Sequence, residues 1–150
     1  MSLKVELGAG LKQALLAGDK NAVNALRGLK AAILDREVAL GVREDGLSDG
    51  EIEKIIAKEV KKRKESAEIY RENARLELAE NEESEIKVLE KYLPKQLSET
   101  ELSAVVEEVI VAFGTASIKN MGEIIGLVKA KVGSSADGAL VAKLVKDNLR

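Results

Sequence analysis

Apolar residues recur along this chain at intervals of three and four, the period of one face of a helix, from residue 3 almost to the C-terminus. Leu3, Leu7, Leu11 and Leu15 predict a first helix, closed near Gly18, where a left-handed residue is wanted. Asp19 caps a second helix, with Val23, Leu26, Leu29, Ile33 and Leu40 on its apolar side. Gly41 to Gly46 reads as a charged loop, and Ser48-Asp49-Gly50-Glu51 as a capping box that opens a third helix. Ile52, Ile56, Val60, Ala67, Tyr70 and Ala74 form the stripe of that helix. The phase shifts around Asn73-Ala74-Arg75, which predicts a turn. A fourth helix follows, with Leu76, Ala79, Ile86, Leu89 and Leu93 facing inward. Helices three and four are expected to form a long antiparallel hairpin.

Pro94, the only proline of 150 residues, should end the fourth helix, because it lacks an N–H and clashes with the preceding turn. Ser98-Glu99-Thr100-Glu101 is a second capping box. Beyond it Leu102, Val105, Val106, Val109, Ile110 and Phe113 give a fifth helix, closed by Gly114. Valines weaken helices, but the spacing of three and four decides against a strand. Lys119 or Asn120 opens a sixth helix carrying Met121, Ile124, Ile125 and Val128. After the turn Gly133–Asp137, Leu140, Val141, Leu144 and Val145 place the last helix. The expected fold is all-α: a helical domain over residues 1–93, a hinge over 94–98 and a three-helix bundle over 99–150. Tyr92, Leu93 and Pro94 mark the hinge.

Composition narrows the chemistry. Aromatics are only 2% of the chain, so the core is built from aliphatic residues. There is no cysteine and no histidine, which removes disulfides, thiolate chemistry and the commonest general base and metal ligand. No metal, no cofactor and no catalytic residue is expected. The N-terminus lacks the apolar run of a signal peptide, and no stretch approaches the ~20 apolar residues of a membrane span. The expected location is therefore the cytoplasm. A net charge of −2 argues against non-specific nucleic-acid binding by the whole surface and leaves room for a local basic patch.

Some charges fall on the wrong side of their helices. Glu59 and Arg63 lie within the apolar stripe of helix three, four apart in the favourable order. Lys30 and Glu37 lie within or beside the apolar side of helix two. The four predict a partly buried ionic cluster between helices two and three, structural in role and not a carboxylate active site. The basic run Lys58-Glu59-Val60-Lys61-Lys62-Arg63-Lys64 surrounds its helix, and Lys61 and Lys64 can pair with Glu65 and Glu68, which favours a solvated face over phosphate binding. Gly122 and Gly126 stand four apart, and close packing against a neighbouring helix is favoured over close approach of a ligand. The Gly133–Asp137 turn leads into a helix N-terminus that could hold a phosphate, although it lacks the P-loop pattern.

Read together, these segments resemble the GatB/YqeY family. The N-terminal part is similar to free-standing YqeY-like proteins through Leu26-Arg27-Gly28-Leu29-Lys30-Ala31-Ala32, the basic run at 58–64, Leu78-Ala79-Glu80-Asn81-Glu82-Glu83 and Tyr92-Leu93-Pro94-Lys95-Gln96-Leu97. The C-terminal part, with Asn120-Met121-Gly122 and Ala136-Asp137-Gly138-Ala139-Leu140-Val141, resembles the tail domain of the B subunit of the glutamine-dependent tRNA amidotransferase. The resemblance implies a two-part helical accessory protein whose tail-like part engages tRNA by shape and phosphate contacts. It implies Lys119, Asn120, Lys129, Lys131, Lys143 and the turn Gly133, Ser134 and Ser135 as RNA-binding residues. The chain departs from the pattern at Ser135, where relatives often carry a basic residue. Family membership would bring the label of a carbon–nitrogen ligase with glutamine as amido donor, for which this chain carries no catalytic residues. The competing expectation is a scaffold whose charged hairpin meets a protein partner.

Overall fold

Seven α-helices follow one another through residues 2–149, the part of the chain that the computed structural model describes. They fall into two units, 1–93 and 94–150. No β-strand occurs among the described residues.

The first unit holds α1 (Leu3–Ala17), α2 (Lys20–Leu40), α3 (Asp49–Glu72) and α4 (Leu76–Glu90). The chain's own chemistry sets the boundaries. Ser2, Asp19 and Ser48 each accept a hydrogen bond from a first-turn N–H, the role that short polar side chains fill at N-caps. Asp49 also accepts from Leu3 N–H at 3.0 Å, which ties the start of α1 to the start of α3. Gly18 ends α1 in the left-handed region, at φ 68°. Leu3, Leu7, Leu26, Leu29, Ile33, Ile52, Ile56, Ile86 and Leu89 pack into one aliphatic core.

The inward stripes differ from the expected ones at their ends. Leu15 is 50% exposed, and Ala14 is buried in its place. Steps of four advance the face by about 40° each at 100° per residue, so Leu15 has rotated away from Leu3 while Ala14 has returned to within about 20° of it. Leu40 and Leu76, at the last and first positions of their helices, are also exposed. Ala74 does not continue the α3 stripe. It lies in the turn to α4 with φ 58°, a left-handed conformation uncommon for a residue with a Cβ. The expected hairpin is present: α3 and α4 run antiparallel, joined at 73–75, with ion pairs Arg71–Glu83, Arg63–Glu85 and Lys64–Glu90 up its length. The fourth helix ends at Glu90, before Pro94, and a short turn covers the remainder.

The second unit packs α5 (Glu99–Phe113), α6 (Met121–Val132) and α7 (Gly138–Asn148) around Leu102, Val106, Ile124, Val128, Val141 and Val145. Residues 99–113 are helical, as the spacing predicts. The Ser98 box is fully formed: Ser98 Oγ accepts from Glu101 N–H at 3.1 Å, and Glu101 accepts from Ser98 N–H at 3.2 Å. Single 3₁₀ turns occupy Ile118–Asn120 and Gly133–Ser135.

The segment expected to be a hinge is held on both flanks. Tyr92 lies over Gly10 of α1, within the first unit. Gln96 donates to the Ser134 carbonyl at 2.9 Å, and Leu97 N–H to the Ser135 carbonyl at 2.8 Å, within the second. The join itself narrows to the neighbourhood of Leu93 and Pro94.

Candidate nucleic-acid interface

In the second unit Glu99, Glu101, Glu107 and Glu108 lie on α5, Glu123 on α6, Asp137 just before α7 and Asp147 on it, while Lys119, Lys129, Lys131, Lys143 and Lys146 lie on α6, the turn before it and α7. Lys131 is neutralised by Glu108 at 2.9 Å. Lys119, Lys129 and Lys143 are exposed and have no carboxylate within ion-pair distance among the described residues.

One face of α6 is bare. At 100° per residue, Gly122, Gly126 and Lys129 lie within about 60° of one another, along about 10 Å of helix, and Gly133 follows at its C-cap. A Cβ at Gly122, Gly126 or Gly133 would meet nothing within 4 Å. These glycines therefore do not serve helix packing, contrary to the favoured expectation. They leave backbone open to solvent. Lys129 closes this strip. A Cβ on Gly138, the first residue of α7, would stand 3.4 Å from its Nζ, so the ammonium lies beside the N-terminal turn of α7. Asp137 makes no side-chain cap there, leaving first-turn N–H groups for another acceptor. A cation and an uncapped helix start side by side repel one another and together attract an anion.

The remaining expected contacts have other partners. Asn120 Oδ1 accepts from Ser117 N–H at 3.1 Å and closes the 3₁₀ turn. Ser134 and Ser135 direct their carbonyls to Gln96 and Leu97, so acceptors and not donors face that segment.

The expected ionic cluster is two separate groups. Glu37 is 1% exposed, and both its oxygens accept from Lys4 of α1, at 3.0 and 2.9 Å. Its Oε2 also accepts from Leu47 N–H at 3.0 Å. The hydrogen bond from Lys4 holds the Glu37 carboxyl below its usual range; burial opposes the shift and Leu47 N–H reinforces it. Gly46, at φ 76°, lets the loop close over this pair, since a Cβ there would sit 3.1 Å from Oε2. Lys30 lines the adjoining cleft but joins no ion pair among the described residues.

Arg63 centres the other group: its acids come from α3 and α4, while its Nη2 lies beside Gly28 of α2. Its Nη1 donates to Glu59 at 2.8 Å, and its Nε lies 3.5 Å from Glu85 without a hydrogen bond. Glu85 was legible in principle, because it precedes the buried Leu89 by four positions. Burial pushes its carboxyl up, Arg63 pulls it down and nearby Glu82 adds to the rise. Both groups join helices.

A family model for YqeY-like proteins matches residues 4–149. Among curated relatives, a mitochondrial protein of Lachancea thermotolerans named altered inheritance of mitochondria protein 41 is 31% identical over 67% of this chain and 54% of its own. The protein of that name from Pyrenophora tritici-repentis is 25% identical over 94% of this chain and 77% of its own. An uncharacterized protein of Schizosaccharomyces pombe is 36% identical over 47% of this chain and 57% of its own. The chain thus spans little more than half the length of two of these relatives. With nearly all of its residues matched, the chain belongs to the YqeY-like protein family.

Proposed function

We propose that the protein is a non-catalytic accessory module that engages tRNA with its C-terminal unit, by shape and phosphate contacts. Membership of the YqeY-like family supports a role like that of the amidotransferase tail at the level of the family. The observation that carries the reading is the bare strip of α6, ending in Lys129 beside the uncapped start of α7. A glycine face admits a sugar–phosphate backbone close to the helix, and the unpaired lysines supply the charge. In this reading the chain brings RNA to chemistry performed by other proteins and transfers no amide itself.

Titrating labelled tRNA against the whole protein at several salt concentrations tests this. Affinity should fall steeply with salt, and Lys119→Glu with Lys129→Glu should reduce the slope of log K against log salt by about 1.5, the share of two phosphate contacts. Binding that ignores both lysines would remove the proposal.

A second reading, a protein-interaction scaffold, has support in Ile69, Leu76 and Leu78, apolar and exposed near the hairpin turn. It ranks below the first because Arg63, Lys64 and Arg71 of the hairpin already pair with Glu59, Glu90 and Glu83. The tRNA reading also includes the compartment: the cytoplasm is the expectation, and the names of the two mitochondrial relatives bring the mitochondrion in beside it. Among the described residues, no helix is long and apolar enough to cross a membrane.

A further inference from the structure

A second concentration of unspent positive charge lies in the first unit. The open cleft between α2 and α3 is lined by Arg36, Glu51, Lys54, Ile55 and Lys58. Lys54 and Lys58 are one turn apart on the same face of α3, and Arg36 reaches the cleft from α2. None of the three has a carboxylate within ion-pair distance among the described residues, although other cations of α3, Lys62, Arg63, Lys64 and Arg71, do. The lone acid of the cleft, Glu51, accepts a hydrogen bond from Ser48 Oγ at 3.2 Å and offsets one of the three positive charges. Like charges four apart on a helix repel, and a concave wall concentrates their field. Three cations against one acid leave the cleft net positive, which favours an anion.

We propose that this cleft, with Arg36, Lys54 and Lys58 as its cations, is a phosphate-binding site separate from the α6 strip. The guanidinium offers a planar fork suited to two phosphate oxygens, the two ammoniums supply point charges, and the half-buried Ile55 forms an apolar wall. Phosphate groups could come from an RNA backbone or from a free phosphorylated ligand, which share this chemistry. The inference does not rest on the tRNA reading, because its residues lie in the other unit.

Calorimetric titration of the full chain with pyrophosphate tests it, beside a twelve-nucleotide single-stranded RNA. Pyrophosphate should bind the native protein at one site and at least tenfold more weakly after Lys54→Glu with Lys58→Glu. A control of equal charge change, Lys12→Glu with Lys20→Glu, should stay within threefold. The milder Arg36→Gln should weaken binding several-fold with the helical circular dichroism intact, which separates binding from folding. RNA displaced by pyrophosphate would support the site with RNA backbone as the source. Pyrophosphate binding that leaves RNA binding undisturbed would support it with a free phosphorylated ligand. No pyrophosphate binding, or equal losses in the control, would overturn it. Loss of pyrophosphate binding on reversing Lys119 and Lys129 instead would also overturn it.

Discussion

Replacing Glu37 with alanine is expected to lower the melting temperature by roughly 5–10 °C, because breaking a buried ion pair strands its remaining partners. Three hydrogen bonds end on this carboxylate, two from Lys4 and one from Leu47 N–H. The side chain is the only charged one fully buried among the described residues. Alanine leaves the Leu47 N–H without an acceptor and opens the space beneath Gly46. Half-exposed Lys4 can turn to solvent, which holds the loss below that of a pair buried on both sides. Acid should probe the same contact. Its pKa is depressed in the folded state, so the stabilisation is complete above the ordinary value of 4.5 and is lost as pH falls through the lower folded value. Glu85 works in the opposite sense. Its raised pKa makes ionisation costlier in the folded chain, so its contribution is lost as pH rises through the carboxylate range. Glu37→Gln should flatten the acid limb of a stability curve and Glu85→Gln should steepen it. Thermal melts from pH 3 to 7 would measure both, and parallel curves would refute the assignment.

Gly10→Ala should destabilise the protein by about 1–3 kcal/mol, the usual cost of forcing extra volume into a packed site. Gly8→Ala, two positions away on the same helix, should instead stabilise it by about 1 kcal/mol. The two glycines share a helix but not an environment. A Cβ at Gly8 would meet nothing within 4 Å. At Gly10 it would overlap Tyr92 Oη and stand 3.2 Å from Cζ, with Leu26 at 3.6 Å behind it. The phenol must then leave its seat, releasing the last residues before the join from α1. Burial and the nearby Glu6 raise the Tyr92 pKa, in keeping with a ring partly out of water. Removing the obstructing hydroxyl should recover part of the loss: Gly10→Ala with Tyr92→Phe should be coupled by about 1 kcal/mol in denaturant unfolding. Additive effects would show that the ring does not rest there.

The helices were legible because caps and apolar spacing act locally. Ser98 with Glu101, Asp19 and Gly18 do in the fold what their identities suggest. Pairings between helices were not legible. Burial of Glu37 could be read from α2 alone, but its partner, Lys4, lies 33 positions away on another helix, and nothing in the periodicity points to it. Lys61 and Lys64 illustrate the same limit. Four-residue spacing offers them Glu65 and Glu68, whereas Lys64 meets Glu90 across the hairpin. For Gly122 and Gly126 the spacing suggested a contact, and the space beside them is open. Spacing reports which residues share a face, not what covers it.

That open face carries the functional account, and a change that leaves charge untouched tests it. Gly122→Leu with Gly126→Leu covers the strip, keeps every lysine and replaces two weak helix formers with strong ones. Fluorescence titration of labelled tRNA against the native and doubly substituted full-length proteins is the direct measurement. The account predicts a more stable protein that binds tRNA at least tenfold more weakly. A more stable protein with unchanged tRNA affinity would contradict it.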